Sequence, residues 1–394
     1  MTARTNIPGA TDSVLQEAIS AYSDEAYTNA KKLVGTGIAG AQADIDTNTE
    51  TFVGQLRWKK PLKPVINVAS LTDATAGTKT TQSSNYAKYI KTVRTHGAEQ
   101  VNMKQVVTQE DGLAKIGRDF AETRTQDEHN ALLSVLKGVA ISELLNGAGS
   151  GSGATGLGGQ TFDNNPEDQK YGMYVDMGLN KLIVDADAAK QGAARAEAFL
   201  TAMGMGWKDY EPAYAYLVVS PKVLASLRSA NLVDETRVTD GMVEFETIFS
   251  GKFRLIITRA NQGLTSAERT AINTGAGVDL VGPETTFIVM PNSLAFNQLA
   301  VPMPVEIGHV PSAFMGGGTT DVWYRWGYIV HPRGYSWYGD EDNFVADADY
   351  MQIGTGGSAM RDLSGATVAV GDKGAFVRKA TSALTLGILP IFHS

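Results

Sequence analysis

At 394 residues, with 43% hydrophobic and 19% charged side chains, the chain has the composition of a folded protein large enough for two or three compact units or one elongated one. It contains no cysteine, which excludes disulfides, thiolate metal sites and cysteine nucleophiles. The net charge of −8 is unevenly spread: residues 51–105 carry nine basic side chains against Asp73 and Glu99, a local +7, so the rest of the chain is −15.

The N-terminal MTARTNIPGATDS has no apolar core of the kind a secretory signal requires. The apolar run LTLGILPIF near the other end is about half as long as a membrane-spanning helix. A soluble protein made in a cytoplasm is therefore expected. Residues 1–12 read as a loose tail. Ser13 and Gln16 form a capping box, followed at helical spacing by Val14, Leu15, Ala18, Ile19, Tyr22, Ala26 and Leu33, with Gly35 placed to end the helix.

Residues 51–105 change character. TFVGQLRWKK and NYAKYIKTVRTH are strand-forming, the second alternating Tyr89, Lys91, Val93 and Thr95 against Ile90, Thr92 and Arg94. Between them lies LTDATAGTKTTQSSN, so the stretch reads as a long hairpin with a flexible tip. An isolated hairpin is marginal in water, and no partner for it is evident in its own sequence. A basic arm on an acidic body suggests that copies of the chain attract one another. Nucleic acid is the other reading of Arg57, Lys59, Lys60 and Lys63, since Trp58 sits among them. The shortness of the patch and the acidity of the body favour self-association.

Gln109–Leu145 runs without proline. Leu113, Ile116 and Phe120, then Leu132, Leu136, Val139 and Leu144, recur at spacings of three and four, predicting one apolar stripe on a single helix roughly 55 Å long. Asp111, Lys115 and Asp119, and Arg118 with Glu122, suit exposed ion pairs. The stripe thins near Thr123–Gln126, where a pair of helices would break instead; as one helix, its charged middle, Thr123–Asn130, is expected to face solvent or a neighbouring copy. The glycine-rich run that follows contains G-x-G-x-x-G at Gly151, Gly153 and Gly156. It follows a helix and opens none, so it does not read as a dinucleotide fingerprint.

Residues 185–300 read as an α/β unit. A helix over Asp187–Met203 precedes the strand AYAYLVVS, and Ser220 with Pro221 starts the helix PKVLASLRSAN. FRLIITR and TTFIVMP are further buried strands, and the segment NQGLTSAERTAINTGAGVDLVG between them is a loop insertion. In DVWYRWGYIVHPRGYSW the alternation of Val322, Tyr324, Trp326, Tyr328 and Val330 predicts a strand closed by the turn HPRG. An acidic stretch, GDEDNFVADADY, and a last strand, ALTLGILPIF, complete the chain.

The signals for catalysis fail on spacing. His96, His129, His309, His331 and His393 show no zinc-site pattern, and His331 reads as a turn residue. Ser336 and Ser358 lack the second glycine of G-x-S-x-G, and no G-K-[ST] phosphate loop occurs. Asp340, Glu341, Asp342, Asp347 and Asp349 miss a calcium loop, with Val345 at position six and Met351 at position twelve; a solvated acidic loop is expected instead. No catalytic residue, cofactor or metal is expected.

The helix ending in NALLSVLKGV, together with RWGYIVHPRGYSW, resembles the major capsid protein of tailed double-stranded DNA bacteriophages. The resemblance runs from the basic hairpin to the closing strand. It implies an α+β fold of the Hong Kong 97 type: an N-terminal arm at 1–50, an extended E-loop at 51–105, a peripheral domain at 106–168 with its spine helix at 109–145, an axial domain at 169–320, and a return strand and tail at 321–394. It further implies pentamers and hexamers that form an icosahedral shell around the genome, bound without sequence specificity, in a virion assembled in the host cytoplasm. No membrane is involved. Partners would be further copies, a separate scaffolding protein, a portal and a decoration protein. The subunit interface is then expected at Arg57, Lys59, Lys60, Lys63, Lys79, Lys88, Lys91 and Arg94. Some members join an E-loop lysine covalently to a neighbour's asparagine; Lys79 lies near such a tip, and no cross-link is expected. The alternative is an encapsulin-like compartment shell that packages an enzyme.

Overall fold

The computed structural model describes residues 37–47, 51–59, 84–101, 112–148, 175–176, 213–229, 232–234, 238–240, 243–248, 250–258, 266, 270, 284–311, 318–339, 344–351, 374–378 and 387–393. Helix and strand are segregated in an α+β arrangement built from two main sheets and one long helix. The expected N-terminal helix at 13–33, the hairpin tip, the glycine-rich run, the helix at 187–203 and most of the loop insertion after FRLIITR lie outside the described residues.

The first sheet contains β1 (Ala39–Gly40), β4 (Thr92–Val101), β12 (Leu294–Leu299), β13 (Val305–Val310) and β14 (Thr319–Pro332). β14 is its axis. It pairs antiparallel with β4 along one edge, and on the other with β13 through its first half and β12 through its second. The predicted alternation is realised: Val322, Tyr324, Trp326, Tyr328 and Val330 are all buried. Gly334, with φ of 86°, permits the turn into β15 (Tyr335–Trp337), which pairs with β16 (Phe376–Arg378).

Above that row of aromatics lies α1 (Gly112–Ala148), 37 residues without a break. Its character changes along its length. Around Phe120 it is half-exposed, with Lys115, Arg118, Asp119 and Glu122 in solvent. From Ala131 to Glu143 nearly every side chain is buried, including Ser142 and Glu143 at 0% exposure, with Lys137 half-buried. A helix covered on all sides belongs to a core, so the single apolar stripe expected from the sequence holds only for the first half.

The hairpin is β2 (Val53–Lys59) against β3 (Ser84–Ile90). Here the structure corrects two readings. NYAKYIKTVRTH is not one strand: it divides at Lys91, giving β3 to the hairpin and β4 to the first sheet. The hairpin also has a partner in its own chain. Leu56 and Tyr89 bury themselves in a cluster with Ile45, Ala295, Leu299 and Ile329, on the face of the first sheet opposite α1. Burial of each large apolar side chain contributes about 1.5–3 kcal/mol, which is how a ribbon of this size is held.

The second sheet runs in the order β5 (Val175–Asp176), β17 (Ile388–His393), β11 (Glu284–Val289), β6 (Ala215–Val219), β10 (Phe253–Ile257), β9 (Thr247–Ile248). β6, wholly buried, is flanked by parallel β10 and antiparallel β11. α2 (Pro221–Ser229) starts as its sequence predicts, with the Ser220 hydroxyl accepting the Val223 N–H at 3.3 Å. β7 (Val238–Asp240) and β8 (Val243–Phe245) form a small ribbon beside it. Sheet membership departs from chain order at two places. The C-terminal β17 joins the second sheet, whereas β12 and β13, which precede β14, join the first. One continuous apolar core links both sheets through α1.

Candidate assembly surface and the polar junction behind it

The hairpin has two unlike faces. Strand alternation sends Leu56, Ala87 and Tyr89 inward, each buried, and leaves Gln55, Arg57 and Tyr86 outward and exposed, with Lys88 half-buried. Arg57 stands directly opposite Tyr86, and Gln55 opposite Lys88. The inner face is fixed further by the Lys88 N–H, which donates to the Ser336 hydroxyl at 2.9 Å, and by the Tyr89 hydroxyl, which accepts the Asp46 N–H at 2.8 Å. At its base two half-exposed aromatics, Phe52 and Phe344, meet edge to face at 4.8 Å.

The expected interface residues therefore separate. Arg57 and Lys88 lie on the hairpin, and Lys59 ends β2. Lys60, Lys63 and Lys79 lie outside the described residues. Lys91 and Arg94 make contacts within their own chain. Lys91 is 0% exposed, with its ammonium 3.7 Å from Asp46 and 3.4 Å from the Thr51 hydroxyl, and is thus held inside its own chain. Arg94 points to the α1 side of β4, where its Nη2 donates to Asp347 at 2.7 Å and its Nε lies 3.5 Å from Asp127, an ion pair without hydrogen-bond geometry.

Arg94 belongs to a polar junction between α1 and the first sheet. One carboxylate oxygen of Asp127 accepts from both Trp326 Nε1 and Tyr328 Oη, each at 2.9 Å. One turn earlier, Arg124 donates to Glu128 at 3.1 Å and to the Tyr324 hydroxyl at 2.9 Å. Phe120 stacks on Tyr324, and Thr92 shares a 2.7 Å hydrogen bond with the Tyr350 hydroxyl. Arg124 is 8% exposed and Glu128 1%. The charged middle of the helix thus faces its own sheet, contrary to the expectation that it faces solvent or a neighbour. The physical reason is the aromatic row. Buried tyrosine and tryptophan each bring a polar tip that must be paired, and Arg124 and Asp127 pair them. Alternating Tyr and Trp residues opposite a charged helix segment are the signal in the sequence that would have pointed to this.

Burial raises the pKa of Tyr328 and of Tyr350, so both phenols stay protonated, and that of Tyr328 donates to Asp127. Burial also raises that of Asp347, outweighing the nearby Arg94. The acidic stretch is accordingly not wholly solvated: Asp347 reaches Arg94, and the Asp349 carboxylate accepts the Ala346 N–H at 2.7 Å at the start of a 3-10 turn over Asp349–Met351. His331 is likewise not a surface turn residue but a buried member of β14. Among the described residues no group of His, Asp or Glu side chains is placed to hold a metal ion, and no helix is long and apolar enough to cross a membrane.

No family model and no curated protein sequence matches the chain. Several solved structures are similar to it. The head structure of Helicobacter pylori bacteriophage KHP40 has 10% identity, 93% of this chain and 91% of that chain covered, and a TM-score of 0.45. The capsid structure of cyanophage P-SCSP1u has 10% identity, 90% of each chain covered, and a TM-score of 0.41. A virus-like particle from Pyrococcus furiosus has 12% identity, 80% and 94% covered, and a TM-score of 0.36.

Proposed function

We propose that the chain is a coat subunit of the Hong Kong 97 type, forming pentamers and hexamers of an icosahedral shell that encloses the double-stranded DNA of a tailed phage. The observation that carries this reading is the two-faced hairpin. Its inner face is sealed against its own first sheet, while its outer face presents Arg57 and Tyr86 to the surroundings. It belongs to a segment of charge +7 on a chain otherwise −15. A ribbon anchored on one side and basic on the other is suited to an acidic neighbour of the same sequence. Contacts of this kind, individually weak, sum when each copy engages several others. The long buried half of α1 gives the subunit the stiffness such a lattice needs.

On this reading residues 1–50 are the arm, 51–105 the E-loop, 106–168 the peripheral domain with its spine, 169–320 the axial domain, and 321–394 the return strand and tail. The subunit has no catalytic role. It acts in the virion, after assembly in the host cytoplasm with a separate scaffolding protein, a portal and a decoration protein. DNA is enclosed without recognition of its sequence. Replacing Arg57, Lys59, Lys60 and Lys63 together by glutamate tests the basic face. The expected result is folded subunits or capsomers by sedimentation and no shells; shells at normal yield would contradict the proposal.

A further inference from the structure

His331 stands one residue before the end of β14, on the face of the first sheet that the hairpin covers, and is 2% exposed. Tyr89 of β3 meets it edge-on, with ring centroids 6.3 Å apart. Ile329, two residues earlier and so on the same face, packs with Leu56 and Tyr89. Directly across on β12 is Ala295. Among the described residues, the titratable and charged groups on the elements packed against the imidazole are few. Tyr89 comes from β3, with Lys91 just beyond that strand; Asp46 comes from the segment that holds the Tyr89 hydroxyl; Arg333 and Tyr335 come from the turn. β1 and β12 contribute none. The single carboxylate in this set, Asp46, already lies 3.7 Å from Lys91.

We propose that protonation of His331 releases the base of the β2–β3 hairpin from the first sheet. A charged imidazole at this position must regain water, and the two ways of admitting water differ greatly in cost. Opening the sheet at His331 would break the β12–β14 ladder, Leu294–Leu299 against Gly327–Pro332, and expose the core beneath α1. Among the described residues, lifting the hairpin breaks the smaller set of contacts made by Leu56, Ala87, Tyr89 and Ile90, with the hydrogen bonds from Lys88 to Ser336 and from Asp46 to the Tyr89 hydroxyl. The hairpin therefore yields first. The attachment is a property of the single chain and does not depend on shell formation.

The direction with pH follows from burial. Desolvation lowers the His331 pKa to about 4, against a favourable hydrogen bond to the Tyr335 backbone, whereas a solvated imidazole titrates near 6.5. The released form thus takes up a proton that the closed form refuses. Attachment is at full strength above about pH 6.5 and weakens about tenfold per unit as the pH falls toward 4.

Hydrogen exchange followed by mass spectrometry on the full chain, corrected for the intrinsic pH dependence of exchange, tests this. Between pH 7.5 and 4.5 the opening of 53–59 and 84–90 should rise on the order of 50–100-fold, while Thr319–Tyr328 of β14 stays protected. In His331→Leu and His331→Gln the acid-dependent part should vanish. An equal acid response in either folded variant would overturn the proposal. Should neither variant fold, the wild-type series decides alone: hairpin opening ahead of β14 supports it, and simultaneous opening of both, or none, contradicts it.

Discussion

Asp127 receives Trp326 and Tyr328 on a single oxygen and also lies beside Arg94, so one side chain serves three elements. Asp127→Ala leaves two buried donors without an acceptor and should lower unfolding free energy by about 2–4 kcal/mol in urea titrations. Asp127→Asn, which retains an acceptor oxygen, should cost less. Arg124→Ala removes the 3.1 Å ion pair to Glu128, which is 1% exposed, a loss of about 3–5 kcal/mol. The double change Arg124→Met with Glu128→Leu should cost less than the single one, because both members of the buried ion pair go together; a double variant weaker than Arg124→Ala would contradict this account of the junction. These residues were hard to read from sequence for a definite reason. Helical periodicity sorts residues by polarity, and a charge that turns inward to satisfy aromatic polar tips looks the same as one that faces water.

Among the elements, α1 was the most legible. Its length followed from uninterrupted spacing, with each end displaced three residues from the predicted bounds. What spacing did not convey is how closely other backbone approaches. A Cβ on Gly138 would lie 2.0 Å from the carbonyl oxygen of Tyr350, in the 3-10 turn laid against the helix. In an exposed helix, Gly→Ala gains about 1 kcal/mol. Here Gly138→Ala should instead destabilise by at least about 2 kcal/mol, measurable by chemical denaturation. Gly308→Ala, with open space where the methyl would go, should stay within about 0.5 kcal/mol. Equal effects at the two positions would refute the packing described for α1. The hairpin was legible as two strands, since Val53–Lys59 and Ser84–Ile90 alternate and are β-prone. The division at Lys91 was not. A buried lysine paired with Asp46 over a distance of 45 residues in sequence has no local signature.

At the scale of the whole molecule, chain order was a poor guide to sheet membership. β17 joins β11 across about 100 residues of sequence, and β12 joins β14 past the intervening β13, pairings set by packing and not by adjacency in the chain. The charge asymmetry, in contrast, could be read directly, and it is what makes a self-assembling subunit the natural reading of a ribbon with one sealed and one basic face. That reading makes a plain demand on the purified recombinant chain. Imaged by electron microscopy at assembly-permitting concentration, it should form uniform closed particles or the pentamers and hexamers from which they are built. A discrete monomer that stays monomeric as concentration is raised would contradict the account.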